Sequence, residues 1–583
     1  MPADRHRLAL GLVLALSLVV NVAGGGWGLP AEYSWSNDDP TPKHALAVPH
    51  YWSSSWYKYP YLQLWLDRAL YQPTLWRIAR AGQLDTPATD PDCAVMDLDC
   101  LEVDDRSAVA GSFMRRSRHL RALMGAGIAL AAYALARRLR ASKTAAVAAA
   151  AVVAVAQSMV FYAHVGNVDL PSAFWGAWAL VAWAGLLGGD RRRDWLAFGA
   201  LGGAALATKE SVVGLFVLPA LVVVWRRARR EWRAGDGRSL DGPRLALPSS
   251  APRGVPRGSA RGLAALRGLI WPGPVMAAAG LFVVYGTALN VAGNPEGFRQ
   301  HVAYWLAGPG IDPWNDRYQG PLWLLAEAGQ RLVEAMGWPL AALCAVGALL
   351  ALRRAPRTAP WPPHEARGDD AVAAIARWDD ARWLVVPLVS YFLFTLLPVQ
   401  YTYTRFVLPV VVVAAVWGGL AFEAAWRRGL VARALAAGAL AHGLLVVVHL
   451  DALLRYDARY AAESWLAANA AEGSDVRYVG SRTHLPRLEV AGVHGERLEE
   501  ADFTAEGLRR IGLPDVVLVS SRGVENLDAS GLAFLAQAAT DGGLYRLAFD
   551  EQTRTGLEPL LLGAHLESRI NPRVMVLVRR GAP

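Results

Sequence analysis

Apolar runs close to 20 residues long recur along the first 450 positions of the chain. Runs of that length match the hydrocarbon thickness of a bilayer, so they predict helices whose solvent is lipid. The first is Leu8–Ala23, behind a short basic tail of Arg5 and Arg7. Asn21-Val22-Ala23 is a poor small-x-small cleavage site, so this run reads as an uncleaved anchor rather than a cleaved signal peptide. Ten more spans are expected at 119–136, 144–162, 170–188, 195–208, 211–225, 269–291, 336–352, 383–398, 403–422 and 430–449. The pair 195–208 and 211–225 reads either as two spans or as one long broken helix.

With the N-terminus in the cytoplasm and the spans alternating, the basic residues fall into register. The inside loops then hold Arg137, Arg138, Arg140 and Lys143, then Arg191–Arg193, then the Arg-studded stretch 226–268, Arg353 and Arg354, and Arg427 and Arg428. Each short loop obeys the positive-inside rule, and a miscount by one would break that agreement downstream. Three segments face outside: 24–118, 294–338 and the tail 451–583. The inside stretches 226–268 and 353–382, rich in Arg, Pro, Gly and Ala, read as linkers.

The tail changes character. A helical pattern over 456–470 is followed by short β-rich runs at Asp475–Val479, Asp515–Val519 and Arg573–Val578, with a further helical stretch at 527–539. The chain thus divides into a transmembrane domain, 1–450, and a small α/β domain, 451–583, of roughly 130 residues, enough for its own core.

Composition agrees. Of 583 residues, 54 % are hydrophobic and 19 % charged, against about 45–50 % and about 25 % in soluble domains. Disorder, collagen and a disulfide-rich scaffold are excluded. The net charge of +9 does not point to nucleic acid, because the Arg clusters sit between apolar runs.

Residues with chemical potential gather outside. Asp38 and Asp39 follow the first span closely; a partly shielded carboxylate there could act as a general base, and the same residues also suit a Pro-rich turn that caps a helix. The aromatic stretch Trp56-Tyr57-Lys58-Tyr59-Pro60-Tyr61 suits an interfacial helix, with Lys58 facing a lipid phosphate or serving as a plain anchor. Only four of the 59 basic residues are lysines, Lys43, Lys58, Lys143 and Lys209, and three of them fall outside. Lys209 and Glu210 sit at the outer end of a span, where an ion pair is costly unless used or satisfied. His164 and Asp169 meet the membrane boundary; two ligands are too few for a metal, and Asp169 also fits a helix start. Arg405 stands on the side that positive-inside bias disfavours, and a phosphate suits its forked donors. Cys93 and Cys100 lie in the first outside loop, where an oxidising exterior allows a disulfide and two free thiols are the alternative. The acidic stretch Cys93–Asp105 offers oxygens to a divalent cation or is simply a solvated loop. No phosphate loop, dinucleotide fingerprint, nucleophile elbow or zinc motif is present.

Five segments in order resemble the GT-C membrane glycosyltransferases, in particular the bacterial protein O-mannosyltransferases and lipid A aminoarabinose transferases. They are Asp38-Asp39, Tyr59-Pro60-Tyr61-Leu62, Tyr162-Ala163 to Asp169, Gly203 to Thr208-Lys209, and Arg405-Phe-Val-Leu-Pro409. Asp457-Ala-Arg-Tyr-Ala-Ala-Glu-Ser-Trp465-Leu is similar to the start of the family's outside domain. The sequence departs in its Asp-Asp pair, where Asp-Glu is common, and in Tyr61, where a second Pro stands. The resemblance implies a polytopic α-helical protein of about 11 spans with a small extracytoplasmic α/β domain, in the bacterial plasma membrane. It implies an inverting glycosyltransferase that uses a polyprenyl-phosphate sugar and a glycan, lipid or protein acceptor. Asp38 and Asp39 would be catalytic. Lys58, Lys209 and Arg405 would bind the donor phosphate, and Tyr59, His164, Asp169 and Glu210 would line the sugar or acceptor. No cofactor is required by this reading, and a divalent cation remains open. The rival expectation is a transporter or lipid flippase, against which stand the lack of repeated halves and the surface position of the polar residues.

Overall fold

The computed structural model describes residues 2–36, 42–86, 89–234, 272–307, 318–353, 380–540, 543–561 and 570–581. Asp38 and Asp39, and most of the two linkers, lie outside the described residues. The bundle is built from α1 (Pro2–Ala23), α2 (Leu62–Arg80), α3 (Arg106–Arg138), α4 (Lys143–Ala154), α5 (Gln157–His164), α6 (Asp169–Gly188), α7 (Arg192–Leu206), α8 (Val217–Ala234), α9 (Gly273–Ala288), α10 (Pro295–Leu306), α11 (Pro321–Met336), α12 (Trp338–Arg353), α13 (Arg382–Val399), α14 (Leu408–Arg428) and α15 (Leu430–Arg455). Short helical turns at Pro42–Leu46 and Val48–Ser54 precede α2.

Among the described residues, seven helical stretches are long and apolar enough to cross a membrane, and α4 with α5 makes an eighth span bent by 53°. The remaining expected spans are present as the shorter helices α7, α9 and α12. The α7–α9 pair shows why they hold. A Cβ on Gly199 would lie 1.8 Å from the Ala277 carbonyl oxygen, and one on Gly280 would lie 2.9 Å from that of Leu196. Only glycine lets these backbones touch, which is how helices associate where lipid removes the hydrophobic drive. The stretch 195–225 is two helices, parted by a break at Thr208-Lys209 and a 3₁₀ turn at Glu210–Leu215.

The two ends of the bundle differ. At one, ion pairs join Arg138 to Asp194 at 3.6 Å, Arg140 to Asp380 at 3.6 Å, and Arg227 to Asp190. The other end carries the segment after α1, the extramembrane turns of α3 and the C-terminal domain. With 33 residues, α3 is about 50 Å long at about 1.5 Å per residue, well beyond a hydrocarbon core of about 30 Å. Its protruding turns hold α2. Arg121 grips both oxygens of Asp67, Tyr71 stacks on Phe113 at 4.3 Å, and the Tyr71 hydroxyl meets Ser117 Oγ at 2.7 Å. A disulfide joins Cys93 to Cys100, with Cα atoms 5.7 Å apart.

The C-terminal domain is a five-stranded mixed sheet. Its strands are β1 (Val476–Val479), β2 (Gly495–Leu498), β3 (Val516–Ser520), β4 (Tyr545–Glu551) and β5 (Val574–Arg579), in the order β2-β1-β3-β5-β4. β1 pairs in parallel with β2 and β3, while β5 runs antiparallel to β3 and β4. The apolar run of β3 is buried at every position, as a strand covered on both faces must be, whereas β2 and β4 are edges with polar outward positions. Helices α16 (Ala458–Asn469) and α17 (Ala529–Ala539) pack on the sheet.

The domain is clamped to the segment that follows α1. The Trp27 indole N–H donates to Asp457 at 3.0 Å, the Gly28 N–H donates to the Tyr460 hydroxyl at 2.8 Å, and Arg487 donates to the Pro30 carbonyl at 3.2 Å. Arg459, fully buried, pairs with Asp457 through two nitrogens and lies 3.8 Å from the Trp35 ring centroid.

Candidate functional site

Three helix ends at the domain-bearing end of the bundle build an ionic cluster. α6 begins at Asp169, whose N–H donates to Asn167 Oδ1 at 2.5 Å. A carboxylate in the first turn also faces the positive end of the helix dipole. α7 ends when the Thr208 hydroxyl donates back to the Ala204 carbonyl at 2.8 Å, after which Lys209 turns extended and the helix cannot continue. The third contributor is the 3₁₀ turn Thr404–Val407 that opens α14. Lys209 Nζ bonds Asp169 Oδ1, and Arg405 Nε stands 3.8 Å from Asp169 Oδ2. Phe406 packs under both cations, with Lys209 4.9 Å and Arg405 5.5 Å from its centroid, and Arg405 also lies 4.6 Å from the Tyr403 ring. The buried carboxylate orients two cations, and aromatic faces favour their charge.

A second, adjoining pair extends the cluster. Glu210 follows Lys209 in the chain and bonds His301 Nε2, while His301 Nδ1 lies 2.8 Å from the Tyr57 carbonyl. A carbonyl only accepts, so Nδ1 carries hydrogen; the contact with Glu210 then needs a second proton on one partner. Burial lowers the His301 pKa, but the hydrogen bond and charge of Glu210, helped by the Tyr57 carbonyl, outweigh it and hold it above the ordinary imidazole value. The other carboxylate oxygen, Glu210 Oε2, is buried with no hydrogen-bond partner among the described residues.

The surroundings fix these groups. Thr395 donates to the Ser211 carbonyl at 2.6 Å, and Ser390 bonds the Gly214 carbonyl, so α13 braces the turn carrying Glu210. α13 passes through a π-helical stretch at Phe392–Leu396 there, a distortion frequent at functional sites. The Leu62 N–H, an orphan at the start of α2, donates to the Ala207 carbonyl at 3.0 Å. Asn294 caps α10 through the Gly297 N–H at 3.0 Å and donates to the Ser55 carbonyl at 2.8 Å, which sets His301 against Tyr57.

The expected residues divide accordingly. Lys209, Asp169, Arg405 and Glu210 come together. Asp169, expected on the sugar or acceptor side, meets both cations. Tyr59 and Lys58 adjoin the cluster through Tyr57; Lys58 is exposed, 5.1 Å from the Tyr59 centroid. His164 sits elsewhere. Its ring is fully buried, with Nε2 2.9 Å from the Val20 carbonyl, 3.1 Å from the Gly24 nitrogen and 3.5 Å from Asp451. It ties α1 to α15, because its position at the end of α5 faces the bundle interior rather than the ionic cluster. The acidic loop is spent on local contacts: Asp105 caps the Ala108 N–H at 2.8 Å, Asp97 accepts from the Asp99 N–H at 2.8 Å, and Asp99 pairs with Arg106 at 2.8 Å. Among the described residues no three His, Cys, Asp or Glu side chains converge as a metal site.

Asp38 and Asp39 lie outside the described residues, but both flanks are described. Upstream, Ser34, Trp35 and Ser36 are buried beside the C-terminal domain. Downstream, the His44 ring packs 4.9 Å from that of Tyr57.

Residues 107–247 match the family model described as dolichyl-phosphate-mannose-protein mannosyltransferase. That stretch, less than half of the chain, contains Asp169, Lys209 and Glu210. Among solved structures the chain is similar to an Archaeoglobus fulgidus oligosaccharyltransferase tethered to an acceptor peptide, at 12 % identity and a TM-score of 0.43, covering 98 % of this chain and 88 % of that one. It is also similar to ArnT from Cupriavidus metallidurans bound to undecaprenyl phosphate, at 14 % identity and a TM-score of 0.43, covering 100 % of both. At these TM-scores the structural likenesses carry no argument about the site. No curated protein matches the chain by sequence.

Proposed function

We propose that the protein is an inverting glycosyltransferase that moves a monosaccharide from a polyprenyl-phosphate donor to a glycolipid, polysaccharide or protein acceptor at the outer face of a bacterial plasma membrane. The observation that carries this reading is the convergence of Lys209 and Arg405 on Asp169, at the bundle end that also bears the approach to Asp38 and Asp39. The N-terminus lies in the cytoplasm and the C-terminal domain outside, a topology that the positive-inside pattern of the loops supports.

In this mechanism Asp38 takes the proton from the acceptor hydroxyl or amine, and Asp39 supports it or shares the role. The acceptor atom attacks the anomeric carbon as the bond to the phosphate oxygen breaks. The leaving polyprenyl phosphate gains one negative charge, and that charge develops in the transition state. Lys209 and Arg405, already oriented by Asp169, stabilise it without having to reorganise, which is the most effective form of electrostatic catalysis. Lys58 adds charge from the Tyr57–Tyr59 segment. Glu210, with one oxygen held by His301 and the other unpartnered, lines the sugar or acceptor side together with Tyr59.

Reconstituted protein, supplied with polyprenyl-phosphate sugars and membrane extract, should release polyprenyl phosphate. The Asp38→Asn, Asp39→Asn double variant should release none while folding as wild type. Equal release by the two proteins would reject Asp38 and Asp39 as the base, and transport of the donor without release would reject the reading in favour of a carrier.

A further inference from the structure

The protruding turns of α3 carry arginines on a side of the membrane that positive-inside bias disfavours. Most have partners. Arg106 pairs with Asp99, Arg116 donates to the Leu70 carbonyl at 3.0 Å, Arg118 donates to the Trp27 carbonyl at 2.6 Å, and Arg121 grips Asp67. Arg115 is exposed and has no hydrogen-bond or ion-pair partner among the described residues.

Arg115 lines a cavity of about 460 Å³ between α3 and Pro30. The α3 wall is formed by Ala108, Gly111, Ser112, Arg115, Arg116 and His119. These positions recur at three- and four-residue spacing, so they form one stripe of the helix. Gly111 brings the walls together, since a Cβ there would lie 2.8 Å from Pro30 Cα. Pro30 is in turn held from the C-terminal domain by Arg487. Arg115, His119 and Ser112 thus line one concavity together with Arg116, whose guanidinium is already held by the Leu70 carbonyl, and none of the lining residues is acidic. His119 also marks where the apolar stretch of α3 begins, so the cavity sits level with lipid headgroups. Forked guanidinium donors match phosphate oxygens, and the volume falls in the range of small-ligand sites, about 300–1,000 Å³.

We infer that this cavity is a second phosphate site, distinct from the Lys209–Arg405 cluster, which binds a phosphomonoester or phosphodiester at the membrane surface. Its occupant is either the headgroup of an anionic lipid or a free phosphate. Occupancy requires no glycosyl transfer, so its test reads binding alone and is independent of the fate of the catalytic reading.

The test is protection of Arg115 from phenylglyoxal, followed by peptide mass spectrometry on the full-length protein in phosphatidylcholine nanodiscs. Arg497, exposed on the C-terminal domain, is the internal control. Inclusion of phosphatidylglycerol should slow labelling of Arg115 about fivefold while Arg497 is unchanged. Protection by phosphatidylglycerol alone assigns a lipid headgroup; equal protection by inorganic phosphate assigns recognition of the phosphate group itself. Ser112→Phe, which puts a ring into the cavity one turn from Arg115 and leaves every charge in place, should abolish protection in a protein whose thermal unfolding is otherwise that of wild type. Absence of protection by both probes, or protection that survives Ser112→Phe, overturns the inference.

Discussion

The Arg459 guanidinium lies 3.8 Å from the centre of the Trp35 ring, with both groups fully out of water. Its charge is met by Asp457, which also accepts from the Trp27 indole. The approach to the acidic pair is therefore fastened to the start of the C-terminal domain. Arg459→Met leaves Asp457 buried with its main charge partner gone, a change that costs about 3–5 kcal/mol in comparable buried pairs. Its thermal midpoint should fall clearly. The Asp457→Asn, Arg459→Met double variant should recover much of that loss, because no lone charge is left behind.

His301 supplies a pH dependence whose sign follows from its raised pKa. A group whose folded pKa exceeds its unfolded value, about 6.5 for histidine, stabilises fully below that value and loses its contribution as pH rises through the folded pKa. Stability should therefore decline from about pH 6.5 upward in wild type. Thermal melts of His301→Gln across the same range should show a flatter profile. A profile as steep as that of wild type would show that another group is responsible.

Arg405 and Lys209 should differ in how they tolerate exchange. Removal of either cation by methionine should weaken retention of the polyprenyl-phosphate product by about 10- to 100-fold, given about 1.5–3 kcal/mol for a hydrogen bond to a charged group. Arg405→Lys should recover only part of this, because an ammonium lacks the fork and stacks less well on Tyr403 and Phe406. Titration of polyprenyl phosphate against each variant in detergent measures the difference.

The Arg121–Asp67 pair fixes α2, and with it the Tyr57–Lys58–Tyr59 segment that precedes α2. Asp67→Asn leaves a buried guanidinium without its counter-charge. It should destabilise by about 3–5 kcal/mol and loosen α2 from α3, seen as faster hydrogen exchange over 62–80 than over α14.

Much of this architecture was legible because lipid and interior impose strong patterns. The spans show as long apolar runs, and β1, β3 and β5 show as short Val-rich runs. β2 and β4 escape the same reading because edge strands need only one apolar face, and Gly495-Glu-Arg-Leu has little to bury. At the site, Lys209, Glu210 and Arg405 stand out because charge at a span end is conspicuous. His301 does not: its role arises from contact with Glu210, 91 positions away, and the signal that could have found α10 is its start, a capping Asn294 followed by Pro295. His164 shows what span position alone does not tell. Its place near a span end suggested the site, whereas its side chain turns inward to α1 and α15.

The most direct test of the central claim is mass spectrometry of the lipid that co-purifies with the Asp38→Asn, Asp39→Asn variant. A protein that binds its donor at Lys209 and Arg405 but cannot activate an acceptor should retain a polyprenyl monophosphate bearing a pentose or hexose. Adding Lys209→Met and Arg405→Met to that variant should empty it. Bulk phospholipid alone in the first variant, or a sugar-bearing lipid retained equally by both, would contradict the account.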